Sequence, residues 1–304
     1  MRWRRSSQIQ VEDRRGQGGL GGGLGGIRVG GGGVGIPIPM GGGIGGIVLV
    51  IIIFVVIQLL SGSSLGGALG GLGGAPPAGD DQPLTSLAPD DPIQFVNAVT
   101  VDLQEFWTDR FAAAGKQYPE TRTVVFEDQT STGCGVASSA TGPFYCPADQ
   151  RVYLDLGFFE ELNRRFGAPG DFAQAYVIAH EYGHHVQDAL GIMAEMQRQQ
   201  NSSNANDLSI RLELQADCLA GVWAHSVFTS PDQSDVESIT DQDVQEAINA
   251  AQAVGDDRIQ EQATGRIDRD SWTHGSAEQR ARWFNAGFRQ GSTDACNTFD
   301  AQSL

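Results

Sequence analysis

Apolar residues recur at helical spacing through Phe95, Val96, Val99, Leu103, Phe106, Trp107 and Phe111, behind Asp90-Asp91-Pro92 as a start signal. This predicts a long amphipathic helix ending near Gly115. The period then changes. TRTVVFED (121–128) and QRVYLD (150–155) read as strands, and LGFFEELNRRFG (156–167) returns to helix before the stop at Gly-Ala-Pro-Gly. Three further helices are expected at 171–190, about 207–228 and about 276–290, the last opening with Ser276 and Gln279 spaced as a capping box. Few strands among several helices predict an α+β domain dominated by helix, occupying residues 90–304.

Ahead of that domain the pattern is different in kind. Residues 44–60 carry no charge, which makes them a membrane-spanning candidate of minimum length, since about 20 apolar residues cover the hydrocarbon. More than forty residues precede the run, so a retained anchor is expected rather than a cleaved signal peptide. Glycine-rich tracts on either side read as flexible spacers, because they cannot bury enough apolar area to offset their ordering entropy. The expected organisation is a basic tail at 1–43, a span at 44–60, a linker at 61–89 and the domain at 90–304.

Charge supports a division into two parts. Of the 304 residues, 37 are acidic and 20 basic, for a formal charge of −17, which excludes a protein that coats nucleic acid. Six arginines (2, 4, 5, 14, 15 and 28) precede the apolar run and no basic residue lies between Leu60 and Asp80. That asymmetry predicts a cytoplasmic amino terminus and an extracytoplasmic domain. Four cysteines agree with an oxidising compartment. Cys134 and Cys146 bracket a short loop, Cys218 and Cys296 remain for a long-range pair, and three connectivities are open.

The chemistry concentrates in AYVIAHEYGHHVQ, where His180, Glu181 and His184 form H-E-x-x-H. At about 100° per residue the two imidazoles fall within about 40° of one another, so both can hold one ion from one helix face. Gly183, just before the second histidine, permits close approach of another element. A hydrolytic zinc site needs one more protein ligand and an open position. Gln187 and Leu190 stand where an extended motif needs Gly and His, and Asp188 lies on the same helix, where it converges poorly with the histidines.

The third ligand is assigned to RLELQADCLAGVWA, where Glu213 and Asp217 share a face inside an apolar helix that Ala216, Ala220 and Gly221 let approach the first. Glu213 is the expected ligand. Asp217 is expected to accept the other ring N–H of a ligand histidine. Zinc bound there lowers the pKa of its water, Glu181 acts as general base, and His274 is the candidate for stabilising the oxyanion. The strand at 151–155 is a candidate for pairing with an extended substrate.

These blocks resemble the family of putative neutral zinc metallopeptidases, through MRWRR with VEDRRG, ASSATGPFYCPADQRVYLDLGFF, AYVIAHEYGHHVQ, LELQADCLAGVWA and THGSAEQRARWFNAG. The resemblance implies a zincin-like fold after one membrane span, a Zn2+ cofactor on His180, His184 and Glu213, and Glu181 as base. The expected function is a membrane-anchored zinc metalloendopeptidase that acts on polypeptide, contacts lipid through 44–60 and binds no nucleic acid. The alternative is a zinc-bearing envelope domain that binds a protein partner without hydrolysis.

Overall fold

A computed structural model describes residues 1–16 except 5 and 7, residue 88, and residues 91–304 except 200, 201, 231–235 and 237. The run at 44–60 and most of the tail and linker lie outside the described residues. Among the described residues no helix is long and apolar enough to cross a membrane.

Helix α1 (Ile93–Ala113) buries Ile93, Val96, Val99, Leu103, Trp107 and Phe111, the stripe expected from their spacing. Beneath it lies a four-stranded sheet in the order β1-β2-β6-β5, formed by β1 (Val11–Asp13), β2 (Arg122–Phe126), β6 (Arg151–Asp155) and β5 (Phe144–Cys146). The first three run parallel, with Val11 opposite Thr123 and Val124 opposite Tyr153, while β5 is antiparallel to β6. Side chains alternate across the sheet with period two. Val125, Val152 and Leu154 join the helical core, whereas Val124, Phe126, Phe144 and Tyr153 pack under the hairpin of β3 (Gln129–Thr132) and β4 (Gly135–Ser138). The Cys134–Cys146 disulfide ties that hairpin to β5.

The sequence expectation found β2 and β6 but missed β1, β3, β4 and β5. Each is three or four residues long, too short to show a period. Strand β6 is also interior, between β2 and β5, so the expected pairing of 151–155 with a substrate is corrected: both of its edges are taken.

The helical layer comprises α2 (Gly157–Arg164), α3 (Asp171–Ala189), α4 (Ile192–Arg198), α5 (Ala205–Thr229), α6 (Asp241–Ala253), α7 (Asp256–Thr264) and α8 (Ala277–Gln290). The capping box at Ser276 and Gln279 is present, and an equivalent one at Thr240 and Asp243 opens α6, which the sequence expectation did not include. Helices α5 and α8 lie in backbone contact. A Cβ on Gly221 would meet the Phe284 carbonyl oxygen at 2.1 Å, and one on Gly287 would meet that of Cys218 at 1.9 Å. Gly221 therefore serves the α5–α8 contact rather than the expected approach to α3. The Cys218–Cys296 disulfide adds the chain end to α5, so the pairing read first from the sequence is the one formed.

One expectation is overturned by β1. Residues 1–16 are not a tail apart from the domain, since β1 is hydrogen-bonded along β2. Around it, Gln10 N–H donates to Asn97 Oδ1 (2.9 Å), Asn97 Nδ2 donates to the Gln8 carbonyl (2.8 Å), and the Met1 ammonium meets Asp243 at 2.6 Å. Arg15 is forked between Asp13 and Asp91 at 2.6 and 2.7 Å. Arginines counted as a topological signal are thus partly structural. One sheet thus joins residues 1–16 to residues 91–304.

The Arg15 hydrogen bond holds the Asp91 carboxyl below its ordinary range, against a smaller opposing effect of burial. A lowered folded value means the contribution is fully present above about pH 4, the unfolded value for Asp, and is lost as pH falls through the folded one. Melting temperatures of wild type and Asp91→Asn should therefore differ at pH 6 and converge toward pH 2. A difference that persists or grows in acid would contradict the pairing.

Candidate metal centre

Helix α3 begins at Asp171 and is buried along nearly its whole length, so its polar residues must find partners inside the protein. His180 and His184 lie one turn apart with ring centroids 4.8 Å from each other. Opposite them, α5 brings Glu213. Its approach depends on Gly183, where a Cβ would stand 3.0 Å from both the Cα and the carbonyl oxygen of Ala216. Gly183→Ala should gain up to about 1 kcal/mol in helix propensity and lose about 1–3 kcal/mol to overpacking. The net expectation is a lower melting temperature together with weaker zinc binding, measured by calorimetry; unchanged zinc affinity would separate the contact from the site.

The geometry of the three side chains is specific. Nε2 of His180 lies 3.2 Å from Glu213 Oε2 and Nε2 of His184 lies 3.5 Å from Glu213 Oε1. One ligand atom from each residue falls within 4.8 Å of the others, and all three residues are buried. The opposite ring nitrogens are already engaged. His180 Nδ1–H donates to Asp217 Oδ1 at 2.8 Å, and His184 Nδ1–H donates to Gln187 Oε1 at 2.8 Å. In these tautomers both Nε2 atoms carry lone pairs that face a carboxylate, an arrangement that calls for a cation between them. Two imidazoles and one carboxylate fit zinc by ligand type.

The electrostatics say the same. Burial disfavours a charged His180, yet the charge and hydrogen bond of Asp217 and the hydrogen bond of Glu213 raise its pKa to about 10. Glu213 is held well below the usual range despite burial, through His184, His274 and His180. Without a metal, a proton is the cation this pocket attracts.

Asp217 is fully buried and saturated. Beyond His180 it accepts from the Tyr176 hydroxyl at 2.6 Å and from Arg280 Nε and Nη2 at 2.8 and 3.0 Å. Burial would push its carboxyl up, but Arg280 and then His180 hold it down. The sequence expectation did not point to Tyr176 or Arg280 as partners of Asp217, nor to Gln187 as the partner of His184. Arg280 left a legible signal: a lone arginine on a helix face with Ala277, Ala281 and Phe284, all buried, has to meet a buried acid. Gln187, dismissed for not being glycine, holds His184 and also donates to the Leu212 carbonyl at 2.7 Å.

Glu181 is buried, and its carboxylate has no hydrogen-bond partner among the described residues. Asp188, set aside from the sequence, accepts from Tyr145 and Gln150 toward the sheet. His185 bridges the Tyr145 hydroxyl and the Pro119 carbonyl, and His225 donates to the Phe288 carbonyl. His274 lies just before α8 with Nδ1 3.2 Å from Asp256 Oδ1, outside the three-residue cluster but within electrostatic range of Glu213.

A helix carrying H-E-x-x-H, packed on a second helix that supplies an acid to the same point, defines a protein of the zinc-peptidase type. The family model for "Putative neutral zinc metallopeptidase" matches residues 1–299, and the chain belongs to that family. It is 43% identical over 305 residues to the Escherichia coli K12 protein named uncharacterized protein YpfJ, covering 98% of this chain and 99% of that one. It is 50% identical over 185 residues to uncharacterized protein Rv2575 of Mycobacterium tuberculosis H37Rv, covering 59% of this chain and 62% of the relative. No solved structure matches the chain.

Proposed function

We propose that this protein is a zinc-dependent metalloendopeptidase, with His180, His184 and Glu213 as metal ligands and Glu181 as general base. The observation that carries the reading is the convergence of two Nε2 atoms and one carboxylate beside a glutamate with no partner of its own. Zinc held there would supply Lewis acidity to a substrate carbonyl and to water. Glu181 takes the proton of the attacking water and delivers it to the leaving amine. Asp217, clamped by Arg280 and Tyr176, and Gln187 keep both ligand rings oriented. His274 donates to the carbonyl oxygen as it gains charge. An extended polypeptide pairs with β5, the sheet's outer strand on the side of α3, in place of the interior β6.

The two disulfides support an extracytoplasmic domain, and the composition of 44–60 supports attachment to a bacterial cell membrane through that segment. In this reading residues 1–16 share the outer side with the domain, so 44–60 enters the membrane without carrying the chain across it.

The test uses the full chain, because β1 belongs to the fold. A mixed peptide library is incubated with the zinc-loaded protein, with and without chelator. Chelator-sensitive cleavage is expected. Zinc binding with no cleavage of any peptide would instead favour a binding domain.

A further inference from the structure

His274 stands on a short stretch, Trp272–Ser276, that belongs to no helix or strand, so its position has to be imposed from outside. Two contacts impose it. On one side the stretch lies against the turn of α5 that bears Glu213, where a Cβ on Gly275 would meet Ile210 at 3.2 Å and Leu214 at 3.4 Å. On the other side stands Asp256, the first residue of α7 and 1% exposed.

The Asp256 contacts are unusually many. Its Oδ2 accepts the backbone N–H groups of Thr273, His274 and Gly275 at 2.8, 2.7 and 3.0 Å. Its own N–H donates to the Gly275 carbonyl at 2.9 Å. The remaining oxygen, Oδ1, accepts from His274 Nδ1 at 3.2 Å, and the same ring nitrogen lies 3.0 Å from the Thr273 hydroxyl. Next to it Asp257 accepts the Ala277 N–H at 2.7 Å. A carboxylate placed only to hold a loop needs the backbone contacts. The contact with Nδ1 does something more, because it engages one edge of the ring and leaves the other edge facing away from Asp256. Nε2 of His274 has no protein partner among the described residues.

We propose that Asp256 is a positioning residue, which holds Nδ1 of His274 so that Nε2 faces the metal centre and donates to the scissile carbonyl oxygen of a bound polypeptide. The proposal rests on the proteolytic reading above. Burial works against a charged His274, and Glu213 and Asp256 together more than offset it, which agrees with a ring kept as a donor.

Asp256→Asn keeps an oxygen for the backbone N–H groups and removes the charge opposite Nδ1. With zinc-loaded full-length protein and a peptide taken from the library, Asp256→Asn should lower kcat about 10–100-fold, with KM changed less than about threefold. His274→Ala should lose at least as much, and the double variant should be no slower than His274→Ala alone. Losses that multiply in the double variant would overturn the proposal, since Asp256 would then act by another route. A second readout needs no activity. In histidine nitrogen NMR of the metal-free protein, Nδ1 of His274 should carry a hydrogen-bonded proton in wild type that is lost in Asp256→Asn. An Nδ1 without a proton in wild type, or a signal indifferent to the substitution, would overturn the proposal even if the variant were poorly folded. If wild type cleaves nothing, the peptidase reading fails alone and the NMR result still decides the role of Asp256.

Discussion

Glu181→Gln is expected to lower kcat for peptide hydrolysis about 10²–10⁴-fold while the protein still takes up one zinc. The expectation follows from position. Glu181 is buried on the helix that carries His180 and His184, yet no described residue hydrogen-bonds its carboxylate, so its replacement by an amide breaks no contact. The substitution keeps shape and removes the capacity to accept a proton. Paired measurements of zinc content and kcat separate base from ligand. Loss of zinc along with activity would make Glu181 a structural member of the site; full activity in Glu181→Gln would remove it from the chemistry.

Deleting residues 1–16 is expected to destabilise the remaining domain by about 3–5 kcal/mol, seen as a melting temperature lower by about 10 °C. Val11 is 1% exposed and shares the core with Val125, so its removal uncovers apolar surface. Asn97, wholly buried, would lose both of its amide partners, and Glu12 would vanish from beside Arg151, 3.1 Å away. Strand β2 would also become a bare edge, a hazard for aggregation. Supplying residues 1–16 as a separate peptide should restore part of the loss. An unchanged melting curve after deletion would mean that β1 does not belong to the sheet. The same experiment bears on topology, because a strand that stabilises the domain has to reach the compartment where the domain folds.

Much of the candidate metal site was legible in the sequence, because the motif carries its own geometry. The H-E-x-x-H spacing fixed two rings on one face of α3, and Gly183 signalled a close neighbour, which proves to be Ala216. Glu213 and Asp217 stood out as two acids one turn apart in an apolar helix, and Asp217 does accept from His180. What the sequence did not disclose depends on contacts across long separations. Tyr176 and Arg280 meet at Asp217 from two different helices, and Asp256 reaches across to His274 from a helix that the hydrophobic pattern did not predict. No local period encodes such meetings.

The amino-terminal segment was less legible. Arg15 is forked onto Asp13 and Asp91, and Val-Glu-Asp is too short to announce itself as a strand. Its place was decided by register against β2, where Val11 meets Thr123 and Asp13 meets Val125. Pairing of that kind is visible only once the partner strand is in position.

Zinc K-edge absorption on the full-length protein loaded with one equivalent of zinc measures the ligand set directly. The account predicts only nitrogen and oxygen neighbours at about 2.0–2.2 Å, with the outer-shell signature of two imidazoles. A sulfur neighbour, a single imidazole, or no retained zinc would contradict a site built from His180, His184 and Glu213.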